Sequence, residues 1–359
     1  SRPNLTAVFA DASAVIVRDL EELEAIAATL EEPARTVAFT KLGETHGEAA
    51  RLGVFGLTQS PSESGAAPLQ LYWHSASSDF RDALGESAFE TVPCSVCGTA
   101  NDAILFRKQQ FDYHRCAACS HIYVSPRVTA AVQKRLGDSL DAAPEDEFLH
   151  TQKIYADFLC RLLRRHAPGP RLLDIGYGAG YLLRTARTHG FQVYGVETSR
   201  TRTAALESMM GDRLRIAHLG VDPLPWGSFD AVVMTHVLEH LADPGAVLRQ
   251  IFEALNPDGV LYVAVPDNES QQFRIFGKEW EAVNPVAHLQ FFNERALTRA
   301  LREAGFLAPS RIRMPPLRGA LRQRWTTLFR ALGGDESGEL ALLARKPPVT
   351  LPATEIRDR

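Results

Sequence analysis

The sequence predicts an α/β fold: a doubly wound, mostly parallel sheet of seven strands with the last strand antiparallel. A small α/β appendage and a four-cysteine module precede it. Three observations predict this. Residues 171–199 read as strand, glycine turn, helix, strand and acid. From there to about residue 345, apolar strand-like runs alternate with helical ones, the pattern of a doubly wound sheet. Upstream, two Cys-x-x-Cys pairs stand between residues 94 and 119.

Leu172, Leu173, Asp174 and Ile175 form a short apolar run that ends in Gly176-Tyr177-Gly178-Ala179-Gly180. Leu182, Leu183 and Ala186 share one helical face, Gly190 ends the helix, and 191–196 reads as a second strand closed by Glu197. The glycines let the chain turn tightly and let a ligand approach without Cβ clashes. The free N–H groups of the first helical turn can face a polar or anionic ligand. An acid about 20 residues past the turn can bond both hydroxyls of a ribose. A dinucleotide site calls for G-x-G-x-x-G, whereas the third glycine here gives G-x-G-x-G.

The 359 residues suffice for one large domain or two to three smaller ones, and 45% hydrophobic with 23% charged content is ordinary for a globular chain. A net charge of −4 gives no general pull toward nucleic acid or anionic membrane. No apolar run reaches the roughly 18–20 residues that span a bilayer. The N-terminus lacks a basic stretch followed by an apolar one, so a cytoplasmic location is expected, with the five cysteines as thiols or metal ligands.

Taken in order, residues 1–90 read as the appendage, a packing or dimerisation module. Strands are expected at 14–17, 36–39 and 69–73, and a helix at 19–30, with a Ser/Pro/Gly-rich loop at 59–68. Residues 91–128 form the cysteine module. Cys94 and Cys97 make one Cys-x-x-Cys pair and Cys116 and Cys119 the other. Two residues between thiolates let a tight turn aim both sulfurs at one ion, and two such turns complete a tetrahedron, the pattern of a structural Zn²⁺ site. Two disulfides or four unconnected thiols are the alternatives. His114 and His121 are expected at the surface, and Cys160 in a core.

Residues 129–169 read as a helical connector, amphipathic over 148–166, and 170–346 as the main domain. After Glu197 the chain reads helix 200–210, strand 213–217, strand 231–234, helix 244–255, strand 260–265, a long insertion, helix 295–304, and a strand near 311–314. A basic helix at 317–332 follows. The short connection at 333–338 then brings in strand 339–344 antiparallel, and 347–359 reads as a frayed tail.

The run LDIGYGAGYLL resembles the first motif of class I S-adenosylmethionine-dependent methyltransferases, and FDAVVMTHVLEHLADPGAVLRQIFEALNPDGVLYVAVPD resembles their central region. The resemblance spans residues ~150–345 and implies a Rossmann-like sheet. It implies that Asp174 sits near the methionine part of the cofactor and that Glu197 binds ribose. Gly176, Tyr177, Gly178, Gly180, Thr198, Leu219, Thr235 and His236 complete the implied cofactor site. Tyr177 departs from the pattern, since a small residue is commoner there. The cysteine pairs followed by Ile122-Tyr123-Val124-Ser125-Pro126-Arg127 extend the likeness to a bacterial subgroup with an N-terminal four-cysteine zinc ribbon. That subgroup is often tied to surface-glycan or secondary-metabolite pathways.

Ligands of a doubly wound sheet bind beyond the C-terminal strand ends. The catalytic candidates there are His288, as general base in a loop able to cover a substrate, and His236. His236, Glu239 and His240 together offer donors for a divalent ion. His240 has the simpler reading of a satisfied structural histidine. Trp226, Trp280 and Phe276 are candidate pocket walls or core residues, and the arginines of 317–332 a solvated basic face. The expected function is methylation of a small molecule (sugar, glycan precursor or secondary metabolite), on oxygen, by a monomer or homodimer. An RNA base methyltransferase using the zinc module for RNA contact is the alternative, although the chain lacks the basic surplus that phosphate binding rewards. A non-catalytic cofactor-binding scaffold is the third reading.

Overall fold

The computed structural model describes residues 86–133 and 149–313, apart from 101, 102, 109, 220, 221, 225, 281 and 286. It also describes 338–348 and three short strands nearer the N-terminus. Those strands, Ile16–Val17, Phe55–Gln59 and Leu69–Leu71, form one antiparallel sheet. The first and third meet expected strands, and the second is additional. The expected helix at 19–30, the strand at 36–39 and the basic helix at 317–332 lie outside the described residues.

The cysteine module contributes β1 (Ile104–Lys108), β2 (Phe111–Arg115) and β3 (Ile122–Val124), paired antiparallel in that order. Its small core joins rings and thiols to the aliphatic Val96, Ile122 and Val124, and it takes in both histidines, which corrects their placement. His114 is 8% exposed and His121 is fully buried. His114 Nε2 lies 2.8 Å from the Ser125 carbonyl, and the His121 ring packs 4.5 Å from that of Phe292.

After α1 (Leu149–His166) comes the main sheet. Its elements are β4 (Arg171–Ile175), α2 (Tyr181–Thr188), β5 (Gln192–Glu197), α3 (Arg200–Met210), β6 (Leu214–Ile216) and β7 (Phe229–Thr235). They continue with α4 (Pro244–Ala254), β8 (Leu255–Pro266), α5 (Gln271–Phe276), β9 (Gln290–Phe291) and α6 (Glu294–Glu303). The last two are β10 (Leu307–Arg311) and β11 (Glu339–Arg345). The seven-stranded order is β6-β5-β4-β7-β8-β11-β10. β11 runs antiparallel between β8 and β10, and the other pairs are parallel.

Local chemistry accounts for these elements. β7 is buried at nearly every position because helices cover both faces of the sheet, so it reads as a continuous apolar run. Val232 and Met234 face one core, while Ala231 and Val233 face the other, which includes Leu159 and Cys160 of α1. Asp243 caps α4 by accepting the Ala246 N–H at 2.8 Å, and Asn293 caps α6 in the same way. β8 begins at Leu255, earlier than the sequence indicates, because the 255–259 segment pairs onward from Phe229 through a bulge. β10 begins four residues early because the chain turns at Gly305, whose φ of +105° suits glycine, and enters the sheet directly.

Gln290 and Phe291 leave the main sheet altogether. β9 pairs antiparallel with β3, so the cysteine module's sheet has the order β9-β3-β2-β1 and includes a strand of the insertion that follows β8. Among the described residues no helix is long and apolar enough to cross a membrane.

Candidate active site

The C-terminal ends of β4, β5, β7 and β8 share one edge of the sheet, and the antiparallel β11 begins there. The glycine turn leaves β4 at this edge. Gly176 has φ +71°, and a Cβ there would stand 2.4 Å from Val237 Cγ2, so both conformation and space require glycine. Gly178 donates its N–H to Glu197 Oε2 at 2.9 Å. The other carboxylate oxygen, Oε1, accepts from the Thr198 and Ser199 N–H groups at 2.8 and 3.3 Å. The acid is thereby locked against the turn by backbone donors.

Asp174 and Glu197 are 5% and 7% exposed. Burial, and then the charge of Glu197, push the Asp174 carboxyl up to about 8. Two nearly buried acids beside a glycine turn fit a ligand that carries both a cationic centre and a diol. Thr235, at the end of β7, places a buried Oγ1 at this edge beside Tyr155. Leu219 lies partly buried in the loop after β6. The departure at Tyr177 has a local cause. Its ring folds back onto Gly195, where a Cβ would stand 2.6 Å from Tyr177 Cδ1, and its hydroxyl meets Thr203 Oγ1 at 2.8 Å. The bulky side chain is absorbed into the core and the backbone keeps its turn.

A cavity of about 310 Å³ opens at the same edge, lined by His236, Pro266, Gln272, Trp280, Ala282, His288 and Gly338. Both candidate catalytic histidines therefore face one space, and their environments are opposite. His236 sits in left-handed backbone, φ +52°. Its Nε2 lies 2.8 Å from Glu339 Oε2 and its Nδ1 3.3 Å from Glu239 Oε1. Desolvation opposes a charge there, but the two carboxylates outweigh it and raise His236 to about 10. His236 is thus an imidazolium at neutral pH. His288 is pushed down to about 4 by burial and by neighbouring His240, so its imidazole is neutral. Its Nδ1–H donates to the Ala282 carbonyl at 2.6 Å, which leaves Nε2 as the lone-pair nitrogen.

Glu239 is fully buried beneath these rings. Burial works against its ionisation, yet His236, His240 and His288 hold its carboxyl below the usual range. The grouping of donors differs from the sequence expectation. Glu239, His240 and His288 offer ligand atoms within 4.8 Å of one another, so His288 stands where His236 was expected. The His240 Nδ1–H donates to the Ala287 carbonyl at 2.7 Å, in line with a satisfied structural histidine.

Several residues of the site escape sequence reasoning. Glu339 holds His236 and reaches Tyr155 Oη at 3.4 Å, and Tyr155 meets Tyr262 Oη at 2.9 Å. The available signal was the antiparallel last strand, which brings its first residue to the edge where parallel strands end. Of the expected pocket walls, Trp280 lines the cavity, Trp226 packs on Tyr194, and Phe276 stands 55% exposed.

The four cysteines converge. Sγ–Sγ distances are 3.4 Å for Cys97–Cys116, 3.6 Å for Cys94–Cys119 and 3.7 Å for Cys97–Cys119. A disulfide needs about 2.05 Å, whereas the edge of a tetrahedron with bonds of about 2.3 Å is about 3.8 Å. The sulfurs therefore match a zinc cage and not two disulfides. The two turns are alike, with Gly98 N–H donating to Cys94 O at 2.7 Å and Ser120 N–H to Cys116 O at 2.8 Å.

Part of this chain is similar to known proteins. Residues 147–308 match the family model of a methyltransferase domain. The matched segment runs from just before α1 into β10 of this fold. The chain is 33% identical over 122 residues to the ubiquinone biosynthesis O-methyltransferase of Psychrobacter cryohalolentis, covering 31% of this chain and 48% of that protein. It is 26% identical over 182 residues to the enzyme of the same name from Xanthomonas campestris pv. campestris, covering 48% and 75%. The chain thus spans about half the length of the first of these curated relatives. Among solved structures, an S-adenosylmethionine-dependent methyltransferase from Mesorhizobium loti aligns with 53% of this chain and 98% of its own, at 21% identity and a TM-score of 0.43.

Proposed function

We propose that this chain transfers a methyl group from S-adenosylmethionine to an oxygen of a small molecule, a sugar, glycan precursor or secondary metabolite. One juxtaposition carries the reading: the glycine turn locked to Glu197 lies on the same sheet edge as a cavity holding a neutral imidazole. The curated relatives' names support oxygen as the accepting atom.

Asp174, Gly176, Tyr177, Gly178, Gly180, Glu197, Thr198, Leu219, Thr235 and His236 would hold the cofactor, with Asp174 near its cationic part and Glu197 on ribose. When bound, S-adenosylmethionine supplies a methyl group made electrophilic by its sulfonium. His288 would accept the acceptor's proton at Nε2 as the acceptor oxygen takes the methyl group, the electron pair of the broken carbon–sulfur bond leaving with the sulfur as a neutral thioether. The buried Glu239 carboxylate offsets the imidazolium that results. Trp280 helps exclude water, and the ion pair of His236 with Glu339 fixes the cavity wall. Cys94, Cys97, Cys116 and Cys119 hold one structural Zn²⁺.

A second reading has its own observation. Glu239, His240 and His288 are spaced to hold a divalent ion, in which case His288 is a ligand and the ion activates the acceptor oxygen.

The deciding experiment incubates the protein with methyl-labelled S-adenosylmethionine and glycans, nucleotide-sugars, metabolites or RNA, with and without a chelator that spares the cysteine site. Label in a hydroxylated small molecule, insensitive to chelator, supports the first reading. Chelator-sensitive transfer moves His288 to the ligand role. Label confined to RNA overturns the small-molecule assignment, and cofactor binding with no transfer leaves a scaffold.

A further inference from the structure

The cysteine module grips the chain segment that carries His288. β9 begins two residues after His288 and pairs with β3, Gln290 opposite Tyr123 and Phe291 opposite Ile122. Leu289, between them, is held on both sides: its carbonyl accepts the Val124 N–H at 3.0 Å, and its N–H donates to Glu239 O at 2.9 Å. The fully buried Gln290 side chain repeats the arrangement. Its Oε1 takes His121 Nε2 at 2.9 Å and the Ser95 hydroxyl, while its Nε2 donates to the Leu241 carbonyl at 2.6 Å. Ser95 lies inside the first cysteine pair and His121 lies two residues past the second, its carbonyl bonded by the Cys116 N–H at 2.8 Å. The Arg295 guanidinium adds a bond to the Ala118 carbonyl at 2.9 Å.

We infer that the four-cysteine module is the positioning element of the acceptor side: through Ser95, His121 and Gln290 it sets where His288 stands in the cavity. Two turns closed on one ion have fixed relative positions, and Gln290 bridges residues of both. The described residues of 282–292 have little regular structure of their own beyond β9, so their path depends on what they are bonded to. The glycine turn and Glu197 make none of these contacts. Cofactor binding is therefore separable from the module, and methyl transfer is not. Gln290, His121 and Ser95 are positioning residues. The inference rests on the methyltransferase reading for its activity arm and on geometry alone for its spectroscopic arm.

The test uses the full zinc-loaded chain and the variant Gln290→Met, which keeps side-chain length and removes all three polar contacts. Misplacing a reacting group by an ångström costs up to about 100-fold, so kcat is expected to fall about 10–100-fold while cofactor Kd stays within about twofold. In a His288→Ala background the same substitution should cause no further loss, because residues acting through one group are not additive. The ¹⁵N resonances of the His288 ring should move in Gln290→Met without added substrate. His121→Gln, which keeps an N–H donor, should recover most of the activity lost in His121→Ala. Ser95→Ala, the mildest change, is read by the same measurements where Gln290→Met does not fold. Unchanged His288 resonances and kcat in folded Gln290→Met or Ser95→Ala overturn the inference, as does an equal loss in the presence and absence of His288. If the unaltered chain neither binds nor uses S-adenosylmethionine, the methyltransferase reading fails, and the resonance shift alone still decides the positioning claim.

Discussion

The Glu197 carboxylate accepts the Gly178 N–H at 2.9 Å, so the acid at the end of one strand and the turn at the end of its neighbour form one rigid unit before any ligand arrives. Glu197 is 7% exposed, and its position is set by three backbone N–H groups within 3.3 Å. A pre-set acid loses little freedom on binding a diol, which favours affinity. Glu197→Ala removes charge-assisted bonds worth about 1.5–3 kcal/mol, so S-adenosylmethionine affinity should fall roughly 10–100-fold by calorimetry. Undiminished binding would remove Glu197 from the ribose.

Asp174 predicts a proton linkage. Its carboxyl is held up at about 8 in the free protein, so it is largely protonated at pH 7. A cationic ligand beside it favours the carboxylate and lowers that value, so binding should release protons below pH 8. Affinity should then rise with pH up to about 8 and level off above it. Calorimetry at pH 7 in buffers of different ionisation enthalpy should show up to about one proton released, and Asp174→Asn should abolish it. Buffer-independent heats would place the cation elsewhere.

The strand, the glycine turn and Glu197 of the proposed cofactor side are legible in the sequence because they are local. The strand, the turn and Glu197 lie within one βαβ unit, and their spacing alone orders them. The acceptor side is assembled from distant segments. His121 and Gln290 bond to each other across 169 residues, and a two-residue strand such as β9 has no periodicity to reveal it. His114 and His121 read as surface residues because polarity is visible in a sequence, whereas the distant partners that let them be buried, the Ser125 carbonyl and Gln290, are not.

Zinc is expected at one equivalent per chain, held by Cys94, Cys97, Cys116 and Cys119. Hydrogen bonding from the neighbouring thiols, Cys94 first, holds the Cys119 thiol below its ordinary range. Protein purified without added metal should contain zinc by elemental analysis, and its removal should lower the thermal midpoint. A folded, zinc-free protein with four freely titratable thiols would refute the site.

Glu339 should control the charge of His236. With its imidazolium raised to about 10, His236 contributes stability that is fully present below pH 6.5 and is lost as pH rises through 10. Glu339→Gln removes one of the two carboxylates, so the His236 titration followed by NMR should move down toward the ordinary imidazole range. The stability gap between the variant and the unaltered protein should close at alkaline pH. A His236 titration that does not move would assign the effect to Glu239 alone.

His288 carries the prediction that separates chemistry from architecture. Its ring is neutral, held down at about 4 by burial and His240, and it lines the cavity beside Trp280. A base must be unprotonated, so kcat should hold steady above about pH 5 and fall as pH drops through about 4. His288→Ala should lower turnover by about 10²–10⁴-fold and leave cofactor affinity nearly unchanged, the signature of an interaction made only as the proton moves. The bond from Nδ1 to the Ala282 carbonyl supplies the competing explanation, since it also pins the loop. His288→Gln distinguishes the two, because an amide can donate to that carbonyl but cannot take a proton near neutral pH. Turnover as low in His288→Gln as in His288→Ala assigns His288 to proton transfer. Recovery in His288→Gln assigns it to the loop, and near-normal turnover in His288→Ala removes it from both roles.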